Sequence, residues 1–235
     1  MAHKTIVTIP RVIFTFWLGD IAMMSGERLR SLLSIQLNIN VPVMFITEAR
    51  LSSWILLDAP LHPAFPYLSK VHQNDYLRMY FLHHYGGGYT DIKPPSQSWS
   101  EAFTRLDESD LDIAGYTELR PTSVAQLSGS LGQQLRDNYR KILGVCCLIA
   151  RPRSSFTVEW YRRVTNYLDE NLASLKTNPS RDPADFYQKE LFGGEKSCYP
   201  LAWTGVGGDI LHPLMLEMSG RLLHVPIAPV PAQYK

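Results

Sequence analysis

The sequence predicts an α/β protein whose central sheet is mixed, mainly parallel and flanked by helices. Three observations predict it. Residues 12–17 are β-branched or aromatic on both faces, as in a strand covered by helices on either side. A helical pattern and a second buried strand follow at once, giving a strand–helix–strand unit whose crossover sets the two strands parallel. Ligands settle at the carboxyl ends of such strands, which here means Trp17, Leu18, Gly19 and Asp20.

Taken in order, the chain opens on a largely apolar stretch, 6–19, which follows Lys4. Pro10 and Arg11 interrupt it, no small-residue cleavage site follows, and it is too short to span a bilayer. It therefore reads as a buried strand. Ser25 is placed to cap a helix whose apolar positions Leu29, Leu32, Leu33 and Leu37 recur at helical spacing, and 41–47 is the next buried strand. A proline-rich connection, 60–66, leads into a helical pattern over 67–85, closed by Gly86, Gly87 and Gly88 as left-handed cap residues. His83 and His84 are expected to face its last carbonyls. A short strand over 89–92 is stopped by Pro94 and Pro95. Two more strands are expected at 111–116 and 142–150, and Phe156, Trp160, Val164, Leu168, Leu172 and Leu175 mark a long amphipathic helix. The polar stretch 176–196, with prolines and two glycines, is expected to be a mobile loop or a functional insertion.

Composition narrows the function. At 235 residues one domain is the prior, and about 70–75% of the unfolded surface can be buried. A formal net charge of +1 without any block of like charges leaves no electrostatic footprint for a nucleic acid or an anionic membrane. Phosphate, if bound, must be held by local groups. Cys146, Cys147 and Cys198 give neither a disulfide framework nor a zinc spacing, and the adjacent pair is expected on opposite faces of a strand. A reducing, cytoplasmic setting with no transmembrane segment is expected.

The chemistry concentrates between positions 75 and 93. In the helical pattern Leu68, Val71, Asp75, Arg78 and Leu82 fall on one face, so Asp75 and Arg78 interrupt an apolar stripe. Burying an ion pair gains little stability, because desolvation offsets the attraction. The next element adds charge at the same end of the sheet: Tyr89 and Asp91 project to one side of a short strand, after three glycines that let the backbone turn and approach a ligand.

As a whole the string NDYLRMYFLHHYGGGYTDIK resembles the pattern "D-x-x-R, apolar helix, Y-G-G-x-Y-x-D-x-D" of the glycosyltransferases with a sugar-binding DXD motif. That grouping spans yeast-type mannosyltransferases, clostridial toxin glucosyltransferases and capsular polysaccharide synthesis proteins. IPRVIFTFWLGD resembles the family's opening, and YPLAWTGVGGDILHPL matches it more loosely downstream. The resemblance implies a GT-A fold with a nucleotide-sugar-binding half over 1–120 and an acceptor-side half over 121–235. It implies transfer from a nucleoside diphosphate sugar, with UDP the commonest donor nucleotide, to a glycan or glycoconjugate hydroxyl, with retention of configuration. Phe16, Trp17 and Leu18 then line the donor site, with Trp17 stacked on the base. Asp75 and Arg78 hold the sugar hydroxyls, Gly87, Gly88 and Tyr89 lie along the donor, and Asp91 contacts ribose and a metal.

One position departs from the pattern: Lys93 stands where the family has its second aspartate. A lysine ammonium about 4 Å from a dication is repelled by roughly 8 kcal/mol at an effective dielectric of 20. Two arrangements follow. Either Lys93 itself neutralises the diphosphate, or it swings aside while Asp91 and His212, with Asp209 in reserve, hold Mn²⁺ or Mg²⁺. Glu118, just beyond the 111–116 strand, is the candidate acceptor-side base. A degenerate domain that binds a sugar or nucleotide without turnover is the alternative function. A dinucleotide-dependent dehydrogenase is disfavoured, since no G-x-G-x-x-G follows the first strand.

Overall fold

In the computed structural model, which describes residues 8–230, the first apolar run forms β1 (Ile13–Trp17), buried over its first four residues. The start of the expected 6–19 stretch lies outside the described residues. α1 (Gly26–Asn38) follows, its Ser25 cap accepting the Arg28 N–H, and leads to β2 (Val43–Thr47). β2 runs parallel to β1 in the register Ile13↔Val43 to Trp17↔Thr47, so the strand–helix–strand unit is present as expected. A short α2 (Glu48–Leu51) and a loop precede α3 (Lys70–His84), capped by Ser69. Then come β3 (Gly87–Thr90), α4 (Ser100–Asp107), β4 (Ile113–Thr117), α5 (Gly129–Asp137) and β5 (Leu143–Ala150). α6 (Ser155–Thr177), α7 (Gly208–Glu217) and β6 (Leu222–His224) complete the described chain.

The six strands lie in the order β2-β1-β3-β5-β4-β6. β1 is parallel to β2 and β3, and β4 to β6, while β5 runs antiparallel between β3 and β4. This is the mixed, mainly parallel sheet that the sequence predicts. Alternation along β1 sends Phe14 and Phe16 to one face, against Leu77 and Phe81 of α3 and Trp160 of α6, and Ile13 to the other, with Ile35, Trp99 and Phe103. Helices therefore cover both faces, which explains why β1 is apolar throughout. The sheet crosses the expected division at position 120, since β3 pairs with β5.

Some expectations need correction. Leu29, Leu33 and Leu37 do not form the buried face of α1: they are 47%, 57% and 80% exposed, while Ser31 and Ile35 are buried. Rotation of the helix is set at its end, where Ile39 and Val41 are buried and the Ile39 carbonyl accepts the Trp99 N–H. α3 begins at Lys70 rather than Tyr67, because Ser69 caps it and the residues before it form a separate turn, Phe65–Tyr67. His83 and His84 do not serve the helix carbonyls with their rings; they pack on Tyr161 and Tyr80 at centroid distances of 4.8 and 4.4 Å. Residues 178–206 carry no helix or strand beyond an isolated Glu190–Lys196 bridge, yet they are tied to α3. The His72 ring meets the Ala202 carbonyl at 2.9 Å and the Tyr199 hydroxyl at 2.9 Å.

Candidate active site

The parallel register puts the carboxyl ends of β1 and β3 side by side, and Asp91 leaves β3 at that edge. α3 passes behind it with most of its surface buried, which brings two charged side chains into the protein. Arg78 and Asp75, one turn apart, form an ion pair with Nη2 3.0 Å from Oδ1. The same guanidinium lies 4.6 Å over the Tyr89 ring and 3.5 Å from Asp91 Oδ1. Burial works against the Arg78 charge, but Tyr89, Asp75 and Asp91 around it hold its pKa above the ordinary value. Asp75 is shifted upward by burial, against the pull of Arg78.

Asp91 is the hub. Tyr89 donates its hydroxyl to Oδ1 at 2.8 Å, and Lys93 donates its ammonium to Oδ2 at 2.8 Å. Burial opposes ionisation of Asp91, yet Lys93 and Arg78 overcome it and hold the carboxyl below its usual range. Lys93 makes a second contact, to Cys146 Sγ at 3.0 Å, so two of its three N–H donors are used. Its charge persists despite burial because Asp91 faces it. Cys147, one residue on, instead meets Thr90 on the neighbouring strand.

Beyond Lys93 lies Glu118, buried, with its pKa pushed up to about 7 mainly by desolvation and only partly countered by the Leu119 N–H, Ser123 and the charge of Lys93. Tyr116, two residues before Glu118, lies over Gly144, which must be glycine there: a Cβ would fall 1.9 Å from the ring. Sequence reasoning missed Tyr116 and Cys146, whose roles depend on an antiparallel neighbour strand that no local pattern reveals.

The remaining predicted positions divide. Phe16 stacks on Tyr89 at 5.7 Å and supports the cluster from β1, and Leu18 is buried. Trp17 is half-buried, with Nε1 donating to the Asp20 carbonyl at 3.0 Å and the Arg28 guanidinium 5.5 Å over its ring. Gly87 and Gly88 sit at the opposite end of β3, level with Ile13. Packing accounts for both: a Cβ on Gly87, at φ +84°, would lie 2.6 Å from the Val12 carbonyl, and one on Gly88 2.9 Å from Ile13. His212 lies inside α7 with Nδ1 accepting the Ala125 N–H at 2.8 Å, and Asp209 accepts the Thr204 hydroxyl at 2.7 Å. At the start of α7, Gly207 comes so near α3 that a Cβ would sit 2.9 Å from Asp75 Oδ2.

These residues do not fit a divalent ion. Both Asp91 oxygens have donors, one of them an ammonium held in hydrogen-bond contact. Two carboxylates, Asp75 and Asp91, are matched by two cations, Arg78 and Lys93. Among the described residues no group of three His, Cys, Asp or Glu side chains is arranged to hold a metal. What the cluster presents is donors: Arg78 Nε and His212 Nε2 are buried without a partner.

The sheet order and the flanking helices give this chain a GT-A-type α/β fold, with charged groups gathered at the carboxyl edge of a mainly parallel sheet. A solved structure with this fold is the PaToxG glycosyltransferase, at a TM-score of 0.50 and 12% identity, with 90% of this chain and 71% of that one covered. No family model matches the sequence, and neither does any curated protein. Among the described residues no helix is long and apolar enough to cross a membrane.

Proposed function

We propose that the protein is a glycosyltransferase that moves a sugar from a nucleoside diphosphate sugar, with UDP as the favoured nucleotide, to a hydroxyl of a glycan or glycoconjugate, with retention of configuration. One observation carries this reading: Asp75, Arg78, Tyr89, Asp91 and Lys93 meet in a single hydrogen-bonded cluster where open α/β sheets bind ligands. Structural salt bridges alone would not require so costly a burial of charge.

In the proposed reaction the bond between the sugar's anomeric carbon and the diphosphate oxygen breaks, and a bond to the acceptor oxygen forms. Charge builds on the leaving diphosphate, where fixed donors stabilise it most. Trp17 offers a flat face to the base, and Asp75 with Arg78 offers a fork and a carboxylate to the sugar hydroxyls. The acceptor proton passes to Glu118, whose pKa of about 7 suits a base at neutral pH. A buried carboxyl without a salt bridge costs stability, which favours a chemical reason for keeping it.

The tight Lys93–Asp91 pair also supports a second reading, a domain that binds the donor without turnover. A panel of UDP- and GDP-sugars tests both. A ligand at a hundred times its dissociation constant adds about 2.7 kcal/mol of stability, so a raised melting temperature identifies the donor. Release of free nucleoside diphosphate then identifies an enzyme, and stabilisation without release identifies a binder. No stabilisation by any sugar nucleotide rejects both.

A further inference from the structure

We infer that Lys93 takes the place of the divalent ion, and that the donor's diphosphate is received by N–H donors of Lys93 and His212, so that donor binding needs no metal. This rests on the reading of the cluster as a sugar-nucleotide site and specifies how that site handles its charge.

Three observations support it. First, Lys93 is fixed. Its ammonium is gripped by Asp91 Oδ2 at 2.8 Å and Cys146 Sγ at 3.0 Å, and its side chain is about one quarter exposed, which leaves the third donor for a ligand. An ammonium held by two partners arrives preorganised, as a stabiliser of developing charge must be. Second, Asp91 is spent. With Tyr89 and Arg78 on Oδ1 and Lys93 on Oδ2, a metal would have to displace a cation already neutralising that carboxylate. The same displacement would strand the ammonium within repulsive reach of the ion.

The third observation is His212. The Ala125 N–H donates to Nδ1, which must therefore be unprotonated, so the neutral ring carries its proton on Nε2. That Nε2 is buried and has no partner. Burial and the nearby Arg78 charge keep the ring neutral, with a pKa lowered to about 4. A protonated Nε2 donates and does not ligate a metal. Its orphaned donor, like Arg78 Nε in the same condition on α3, calls for an acceptor-rich ligand such as a phosphate or sugar oxygen. Gly207 lets the start of α7 approach α3 closely: a Cβ there would press on Asp75.

Calorimetric titration of UDP and of UMP, each with EDTA and then with Mn²⁺, tests the inference. Wild-type affinity for UDP is expected to change less than about threefold on adding Mn²⁺. Lys93→Gln is expected to weaken UDP about tenfold to a hundredfold, as for a lost charge-assisted hydrogen bond, and to leave UMP almost unchanged. His212→Asn, whose side-chain oxygen can still accept the Ala125 N–H, is expected to weaken UDP about fivefold to tenfold. Lys93→Asp recreates a two-carboxylate motif and is expected to lose UDP in EDTA and recover it in Mn²⁺. Tighter UDP binding by tenfold or more when Mn²⁺ is added to wild type would overturn the inference, as would UDP affinity unchanged in a folded Lys93→Gln protein. In either case the sugar-nucleotide reading stands. If neither UDP nor UMP, nor GDP in their place, binds with or without Mn²⁺, that reading fails and takes the inference with it.

Discussion

Replacing Glu118 with Gln should make the protein more stable at alkaline pH and less active. In the folded chain this carboxyl is raised from its ordinary 4.5 to about 7 because it is buried, with only 7% of its surface exposed. Below pH 4.5 the folded and unfolded chains both hold the proton, and Glu118 makes no difference. As pH rises toward 7 the unfolded chain releases it first, so stability falls, and above 7 the buried anion costs about 3 kcal/mol. The Gln amide avoids that cost but accepts less well from Leu119 and Ser123, a loss of about 1 kcal/mol. A net gain of about 2 kcal/mol at pH 8.5 corresponds to roughly 4–8 °C in melting temperature for a chain of this size, shrinking to nothing or slightly below at pH 4. Differential scanning calorimetry across pH 4–9 on both proteins measures it directly. A pH-independent difference, or a Gln variant less stable at pH 8.5, would refute the burial argument. Lost transfer in the stabilised variant would mark Glu118 as a group kept for chemistry.

Further outcomes are expected. Gly144→Ala drives a methyl into the Tyr116 ring and should cost about 1–3 kcal/mol in denaturant unfolding, because the buried ring lies directly over Gly144. Trp17→Ala should leave the melting temperature within about 2 °C, since the ring is only half-buried, while weakening nucleotide binding by about 1–3 kcal/mol in titration. His212 has its pKa lowered from 6.5 to about 4, so it contributes stability above pH 6.5 that is lost as pH falls toward 4. His212→Asn should therefore lose about 2 kcal/mol less than wild type between pH 7 and pH 5, read from urea midpoints.

Much of this arrangement is legible in the sequence where local chemistry decides it. β1 is apolar on both faces because both faces are buried, and Ser25 marks a helix start by capping it, whereas the apolar β2 lies at the sheet edge and buries only Ile46. Asp75, Arg78, Tyr89 and Asp91 are legible as a group because helical and strand spacings fix their directions, and the contacts among them follow. The inward face of α1 was not legible: two stripes compete on that helix, and the Ile39–Trp99 contact that chooses between them is distant in sequence. Glycines are ambiguous for a similar reason. A gap left for a ligand and a gap filled by Val12 or Pro152 look alike until the neighbour is placed. Cys146 as a partner of Lys93 depends wholly on β5 inserting antiparallel beside β3, which follows from tertiary pairing rather than from any motif.

The central claim, that the Asp91 cluster handles a sugar nucleotide, is tested most directly by comparing wild type with Asp91→Asn for release of nucleoside diphosphate from the donor that stabilises the protein best. Asn keeps the size of the side chain and can still accept from Tyr89, so the fold should survive, at a melting temperature lowered by leaving the Lys93 ammonium without its carboxylate. Removing the carboxylate frees Lys93 and Arg78 from their shared anchor, and release is expected to fall by about a hundredfold or more, a loss of roughly 3 kcal/mol in transition-state stabilisation. Near-normal release by a folded Asp91→Asn protein would contradict the account.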